Sequence, residues 1–414
     1  MPQLTLYKKF YWGKKLYDAW NNLRKNPSSS GLSGQTIEQF GQNLHNEIEQ
    51  LRFQLKNNSF KFSKVKGSKY YKSTDPSDFR PLKIPEVRDR VVIRAIVNTI
   101  SPILENKFEL KNRASYAYQK GLGPPKAFER VISLYKSGRR IILEADIIKF
   151  FDSVDKEKLL NDFILPSLPD DSLNNLLIES LSLEIGNQKS FNQEELKLFE
   201  MSNTGIPQGS SLSPLLSNVY LSSFDKLMIN EGFGLVRYAD DFVVLCKTLS
   251  EAKKAYRIAK EVLENELKLK IYPLDNSNKN SKTKIINPTQ NPLNFLSIIF
   301  NGNDLYPSRE KYLNLKKNLM SLSSDKNLNV IDYLMKFRLK LIGWIASFHF
   351  TNVERYFEDL EKFINENIAF GLNRRKWKLK KLAIDKKSKY SLNEFQRIFS
   401  GVSSCAEILK NIRR

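Results

Sequence analysis

At 414 residues with 41% apolar side chains, the chain is long enough to bury one large core or to divide into two or three domains. Lysine and arginine exceed aspartate and glutamate by 67 to 45, a net charge of +22, and such an excess points to a polyanionic partner such as nucleic acid. Two cysteines and two histidines exclude a disulfide scaffold or a zinc module, no stretch approaches the roughly 18 apolar residues of a membrane span, and MPQLTLYKKF is not a secretory leader, so the expected setting is cytoplasmic.

In chain order, residues 1–60 read as a helical extension, with helices over 16–23 and 37–55 separated by Asn26-Pro27-Ser28-Ser29-Ser30-Gly31. Val92, Ile96 and Ile100 recur at helical spacing and predict a helix from Arg88 to Phe108. Residues 139–145 form a short apolar strand ending at Asp146, and Phe150-Phe151-Asp152 follow closely. Leu173, Leu176, Leu177 and Leu181 predict helix across 156–202. The Gly, Pro and Ser cluster of residues 205–214 predicts a loop leading into a helix through Val219, Tyr220 and Leu221. Residues 234–237 and 242–246, rich in β-branched and aromatic side chains, predict a tight hairpin with Asp240 and Asp241 at its turn. Beyond it lies a helical region with Leu313, Leu319, Leu334 and Phe337 facing inward, then a cation-rich run from Arg374 to Lys381.

A lone Asp-Asp pair is ordinarily a solvated turn. Inside an apolar hairpin it costs several kcal/mol unless a charge compensates it, and Mg²⁺ suits paired carboxylates. Asp146, at the end of a second apolar strand, changes the weighing: three carboxylates suit two divalent ions and nucleotidyl transfer. The glycine loop between them would let main-chain N–H groups approach a nucleotide closely.

Taken together, Ile206-Pro207-Gln208-Gly209 with Ser213-Pro214, Tyr238-Ala239-Asp240-Asp241, and Asp146 with Phe150-Phe151-Asp152 resemble the palm motifs of reverse transcriptases, in that family's order and spacing. Phe79-Arg80-Pro81-Leu82-Lys83-Ile84-Pro85 and residues 87–92 are similar to its fingers motifs. Residues 282–285 and 294–297 resemble its late palm motifs. Leu341-Ile342-Gly343-Trp344 and the helical run 353–368 resemble the thumb of the group II intron type. The resemblance spans about residues 60 to 370 and implies an α+β fold of right-hand polymerase architecture. Residues 1–60 would be an N-terminal helical extension, 61–135 fingers, 136–300 a palm with an antiparallel sheet, 301–372 a helical thumb, and 373–414 a basic C-terminal tail.

The resemblance also implies roles. Asp146, Asp240 and Asp241, with the main-chain carbonyl of Ile147, would ligate two Mg²⁺ ions, with Mn²⁺ as a substitute. Phe151 would stand as a steric gate against a 2′-hydroxyl. Gln208, Gly209 and Tyr238 would line the nucleotide pocket, Arg80 with Lys72 would clamp the triphosphate, and Lys282 would donate a proton to the leaving pyrophosphate. For the tail, Arg374, Arg375, Lys376, Lys378, Lys380 and Lys381 are expected to contact RNA. The implied enzyme is an RNA-directed DNA polymerase taking dNTPs, with a structured noncoding RNA as template and cDNA as product. No Cys/His-rich nuclease segment follows the thumb, the marks of retron enzymes are not found, and Pro207-Gln208 is intact, unlike in diversity-generating elements. The expectation is therefore a stand-alone enzyme of antiviral, anti-phage defence. A group II intron maturase-like RNA-binding protein and a cellular repair reverse transcriptase are the alternatives.

Overall fold

Short capped helices open the chain. The computed structural model describes residues 4–25, 29–71, 79–199, 204–278, 281–377 and 400–414, with the single positions Leu392 and Arg397. Helix α1 (Leu6–Tyr11) is too short for periodicity to reveal; Thr5 caps it, and the carboxylate of Asp170 accepts from the Leu6 N–H at 2.8 Å. Helix α2 (Lys15–Leu23) buries Leu16, Ala19 and Trp20. The helix expected over 37–55 divides in two at Asn43, whose φ of −117° ends α3 (Ile37–Gln42) and starts α4 (Leu44–Lys56). Asparagine competes with the helix for main-chain bonds, and Thr36 with Gln39 forms a complete capping box that starts α3.

Strands β1 (Lys66–Tyr71) and β2 (Phe79–Ile84) pair antiparallel, with Tyr70 opposite Arg80. Helix α5 (Val87–Lys107) follows as the spacing of Val92, Ile96 and Ile100 predicts, and all three are fully buried. After α6 (Pro124–Lys136), β3 (Ile141–Asp146) runs to its terminal acid, and α7 (Phe150–Ser153) begins four residues on. The segment 156–202 is not one continuous helix. It breaks into α8 (Lys156–Lys158), a π-helical turn over Leu159–Ile164, α9 (Asn174–Ser180) and α10 (Gln193–Phe199), with Pro166, Pro169 and Gly186 in or between the pieces. Its far end supports a different element, since Ile185 and Phe199 pack with Val65 and Phe79 under the β1–β2 hairpin. There the Lys69 ammonium lies 5.3 Å from the Phe79 ring and pairs with Glu195.

Helices α11 (Ser213–Tyr220) and α12 (Ser222–Asn230) lead to β4 (Gly234–Tyr238) and β5 (Asp241–Cys246), an antiparallel hairpin. Helix α13 (Leu249–Glu261) packs on β5, and β6 (Lys284–Ile286) completes a four-stranded sheet of order β4-β5-β3-β6. These elements make up the first of two compact units, residues 1–139 with 143–285; the second comprises 140–142 and 286–414.

The second unit holds an antiparallel meander, β7 (Leu293–Phe295), β8 (Ile298–Phe300) and β9 (Leu305–Pro307). Three long helices follow: α14 (Arg309–Ser324), α15 (Val330–Phe348) and α16 (Phe357–Arg374). Leu319 and Phe337 are buried in this unit as expected, but Leu334 is only half-buried and Leu313 is exposed. Tyr312 and Leu315 supply the buried face of α14 instead. The tail is not a free arm at its end. Helix Cys405–Arg413 packs on α15 with Cys405, Ile408 and Leu409 buried, and Arg413 donates to the carbonyls of His349 and Thr351.

Asp89, on α5, has no solvent exposure, and burial pushes its carboxyl up to about 6 against the Ser63 N–H bond and the nearby Arg88 charge. Glu86 adds to the rise. The native state therefore holds this proton more tightly than the unfolded chain does. Stability falls as pH rises from about 4 to 6 and is level, for this group, above that. In chemical denaturation, the stability of Asp89→Asn relative to wild type should improve by about 3 kcal/mol between pH 4 and pH 7. A gap that does not change with pH would show that Asp89 ionises freely.

Candidate active site

The hairpin turn is built from Tyr238, Ala239, Asp240 and Asp241, with Tyr238 directly opposite Asp241. Of the two turn residues only Ala239 has positive φ, +59°, a conformation that costs a non-glycine residue on the order of 1 kcal/mol and persists only where its surroundings enforce it. Both acids are half-buried by exposure of the whole residue. Burial, and then the charge of Asp146, push the Asp240 carboxyl up. Burial and the charges of Asp146, Glu144 and Asp240 push Asp241 well above the usual carboxylate range.

Asp146 closes β3. Its carbonyl accepts from Tyr272 N–H at 3.3 Å, and Ile148 N–H donates to the Lys270 carbonyl at 2.7 Å, a pairing that passes over the Ile147 carbonyl. Lys149 follows in the left-handed region at φ +46° and turns the chain into α7. Phe150 is buried beneath, and Phe151 stands edge-on to it at 5.4 Å, half-exposed.

The glycine loop closes against this segment. Gly205 N–H donates to the Val154 carbonyl at 2.7 Å, and Ile206 N–H donates to that of Phe151 at 2.8 Å. Gly205 has φ +94°, and a Cβ there would lie 3.3 Å from the Phe151 carbonyl oxygen, so only glycine fits comfortably. The Gln208 amide donates to Asp152 at 3.1 Å, and Ser213 Oγ donates to the Pro207 carbonyl at 2.6 Å, fixing the loop to the start of α11.

Asp146, Asp240, Phe151, Gln208, Gly209, Arg80, Ile147 and Lys282 line one cavity of about 820 Å³, joined by Tyr118, Lys149 and Tyr272, which sequence reasoning did not single out. Tyr118 carried a signal only the backbone reveals, a φ of +62°. Tyr238, expected in the nucleotide pocket, is not part of this lining, nor is Asp241; burial raises the Tyr238 phenol. Lys282 donates to Asp146 at 2.9 Å and lies 4.7 Å from the Tyr272 ring centre. Burial alone would lower its ammonium, but the bond to Asp146 and that carboxylate's charge raise it. Lys284, its neighbour in sequence, faces Glu144 instead at 3.6 Å. Among the described residues, no three acidic, histidine or cysteine side chains converge tightly enough, as they stand, to enclose an ion.

Of the remaining expected site residues, Lys72, Lys378, Lys380 and Lys381 lie outside the described residues. Arg374 and Lys376 are exposed. Arg375 is a correction: its guanidinium donates to the carbonyls of Ser323, Leu328, Gly371, Leu322 and Asp325 and covers the Tyr333 ring at 4.1 Å. It ties the end of α16 to the α14–α15 junction, so its donors are already spent on the fold.

The chain is similar in sequence to known proteins. Protein YkfC of Escherichia coli (strain K12) is 26% identical over 329 residues, covering 70% of this chain and 78% of its own. Group II intron-encoded protein LtrA of Lactococcus lactis subsp. cremoris is 26% identical over 220 residues, 51% of this chain but only 33% of its own length. Among solved structures, a partial Cas6-RT-Cas1–Cas2 complex matches at TM-score 0.37 and 24% identity, over 64% of this chain and 43% of that one. Telomerase from Candida albicans matches at 0.38 and 14%, over 96% and 67%. Both structural matches are too distant to carry an argument. The family model for reverse transcriptase (RNA-dependent DNA polymerase) matches residues 64–300, more than half of the chain and all of the cavity's lining. The chain belongs to the reverse transcriptase family.

Proposed function

We propose that the cavity is where a deoxynucleotide joins a primer on an RNA template. The observation that carries this is the meeting of Asp146, at the end of β3, and Asp240, in the β4–β5 turn, with Phe151, Gln208, Gly209 and Arg80 around one space. Asp146, Asp240, Asp241 and the Ile147 carbonyl would hold two Mg²⁺ ions, with Mn²⁺ as a substitute. The donors are all hard oxygens, and a divalent cation would offset the burial and the mutual repulsion that push Asp240 and Asp241 up. When bound, the ions supply activation of the primer hydroxyl and neutralisation of the triphosphate. Lys282, the cation on Asp146 in this structure, would turn to the leaving pyrophosphate and give it a proton. Arg80, with Lys72, would clamp the triphosphate. Gln208 and Gly209 would hold the nucleotide, and the Phe151 ring would exclude a 2′-hydroxyl.

The template, in our reading, is a structured noncoding RNA copied to cDNA in the cytoplasm for anti-phage defence. The net charge of +22 supports a polyanionic partner, and Arg374, Lys376, Lys378, Lys380 and Lys381 are the tail cations offered to it. Sequencing RNA that co-purifies with the protein, before and after adding dNTPs and Mg²⁺, tests this. One structured species with complementary cDNA is expected. RNA bearing intron boundaries would favour a maturase role, as the likeness to LtrA allows. A broad mixture of cellular RNAs would favour repair.

A further inference from the structure

Arg237 stands one residue from the end of β4, beside the turn, with no solvent exposure. Its Nε and Nη2 donate to the two carboxylate oxygens of Asp225 at 2.7 and 2.5 Å. That bidentate pair neutralises the charge and leaves Nη1 for two further acceptors. One is the Ala239 carbonyl at 2.9 Å, the other Asn218 Oδ1 at 3.2 Å. Asn218, on α11, passes the connection on, because its amide donates to the Ala117 carbonyl at 2.9 Å and its Oδ1 also accepts from Ser115 Oγ. The main chain of Arg237 is tied to the same segment, donating to the Ala114 carbonyl and accepting from Tyr116 N–H.

The guanidinium thus joins the turn that bears the acids to α11 and α12, and the Arg237 main chain and Asn218 extend the connection to residues 114–117. A buried ion pair is not by itself favourable for stability, since desolvation offsets the attraction. Its geometry here is directional. The carbonyl it holds belongs to the one turn residue in the left-handed region, immediately before Asp240.

We propose that Arg237, oriented by Asp225 and Asn218, is a positioning residue that holds the Ala239–Asp240 turn in the form needed to bind divalent cations. This rests on the assignment of Asp240 and Asp241 as cation ligands. Without Arg237 the turn loses the donor to its carbonyl, Ala239 relaxes from its positive φ, and the two carboxylates no longer present themselves together. Lysine at this position keeps the charge beside Asp225 but cannot make the fork and reach the turn as well.

The test is Mn²⁺ binding to the nucleotide-free protein by electron paramagnetic resonance, with hydrogen exchange across residues 234–246 and melting temperature measured alongside. Arg237→Lys is expected to weaken Mn²⁺ binding about 10- to 100-fold, the range for loss of a group that orients ligands. Exchange at the turn should quicken while the melting temperature moves by only a few degrees. The pair Arg237→Met with Asp225→Leu removes the buried charges together and should show the same loss of binding in a folded protein. Unchanged Mn²⁺ affinity and turn protection in either folded variant would overturn the inference, as would failure of both variants to fold, which would make the pair a support of the fold alone. Asp240→Asn with Asp241→Asn separates the two readings. If that variant binds Mn²⁺ like wild type, the ligand assignment fails; if it loses binding and the Arg237 variants do not, only the positioning role fails.

Discussion

Asp240→Ala with Asp241→Ala is expected to lower primer extension by ~10³-fold or more, because carboxylate ligands to the catalytic ions contribute several kcal/mol to the transition state. Stability should hold or rise. Each acid is held above its ordinary range by burial and by the charges of its neighbours, so removing them relieves a cost in the native state. The alanine at 240 also leaves intact the Arg237 bond, which goes to a main-chain carbonyl one residue earlier. A thermal melt and RNA retention on a filter, run beside the extension assay, distinguish loss of chemistry from loss of fold. Synthesis near the wild-type rate would remove both residues from the metal site.

Much of this site was legible because its signals are local. The hairpin around Asp240, the strand ending at Asp146 and the glycine loop each lie within about 15 residues, and each formed where propensity placed it. Helix α5 was equally plain, since ten buried side chains along 21 residues enforce one period. What escaped depends on partners distant in the chain. Arg237 carried no signal of its own in the sequence, because its partners Asp225 and Asn218 stand 12 and 19 residues away. Arg375 read as part of a phosphate-binding run, yet carbonyls some 50 residues earlier claim its donors. Leucine content foretold helix across 156–202 but could not show the breaks, or that Ile185 and Phe199 would leave for the β1–β2 hairpin. Only the resemblance to a palm motif set Lys282 apart from Lys284 in the sequence. Their spacing of two residues matches that of Asp146 and Glu144 on β3, and the pairing of β6 with β3 gives Asp146 to the first and Glu144 to the second.

Phe151→Val or Phe151→Ala is expected to admit ribonucleotides, reducing the preference for dNTPs over NTPs by about 100-fold or more. The cause is geometric. The ring forms part of the cavity wall that Asp146 and Gln208 also line, and the buried ring of Phe150 braces it edge-on against an added hydroxyl. Truncation removes the wall without disturbing the loop opposite, because Ile206 donates to the main-chain carbonyl of residue 151, which any side chain retains. Being half-exposed, Phe151 should cost less on truncation than the ~3–5 kcal/mol of a fully buried phenylalanine, so the protein should remain folded. Phe150→Ala is the useful contrast. Its ring is 1% exposed, and its loss should lower stability more while changing sugar selection only through the support it gives Phe151. Steady-state extension with each nucleotide set, compared as kcat/KM ratios, reads the effect directly. If the ratio for Phe151→Ala matches wild type, sugar discrimination resides elsewhere in the cavity lining, where Tyr118 is a bulky ring close enough to feel the Asp240 charge.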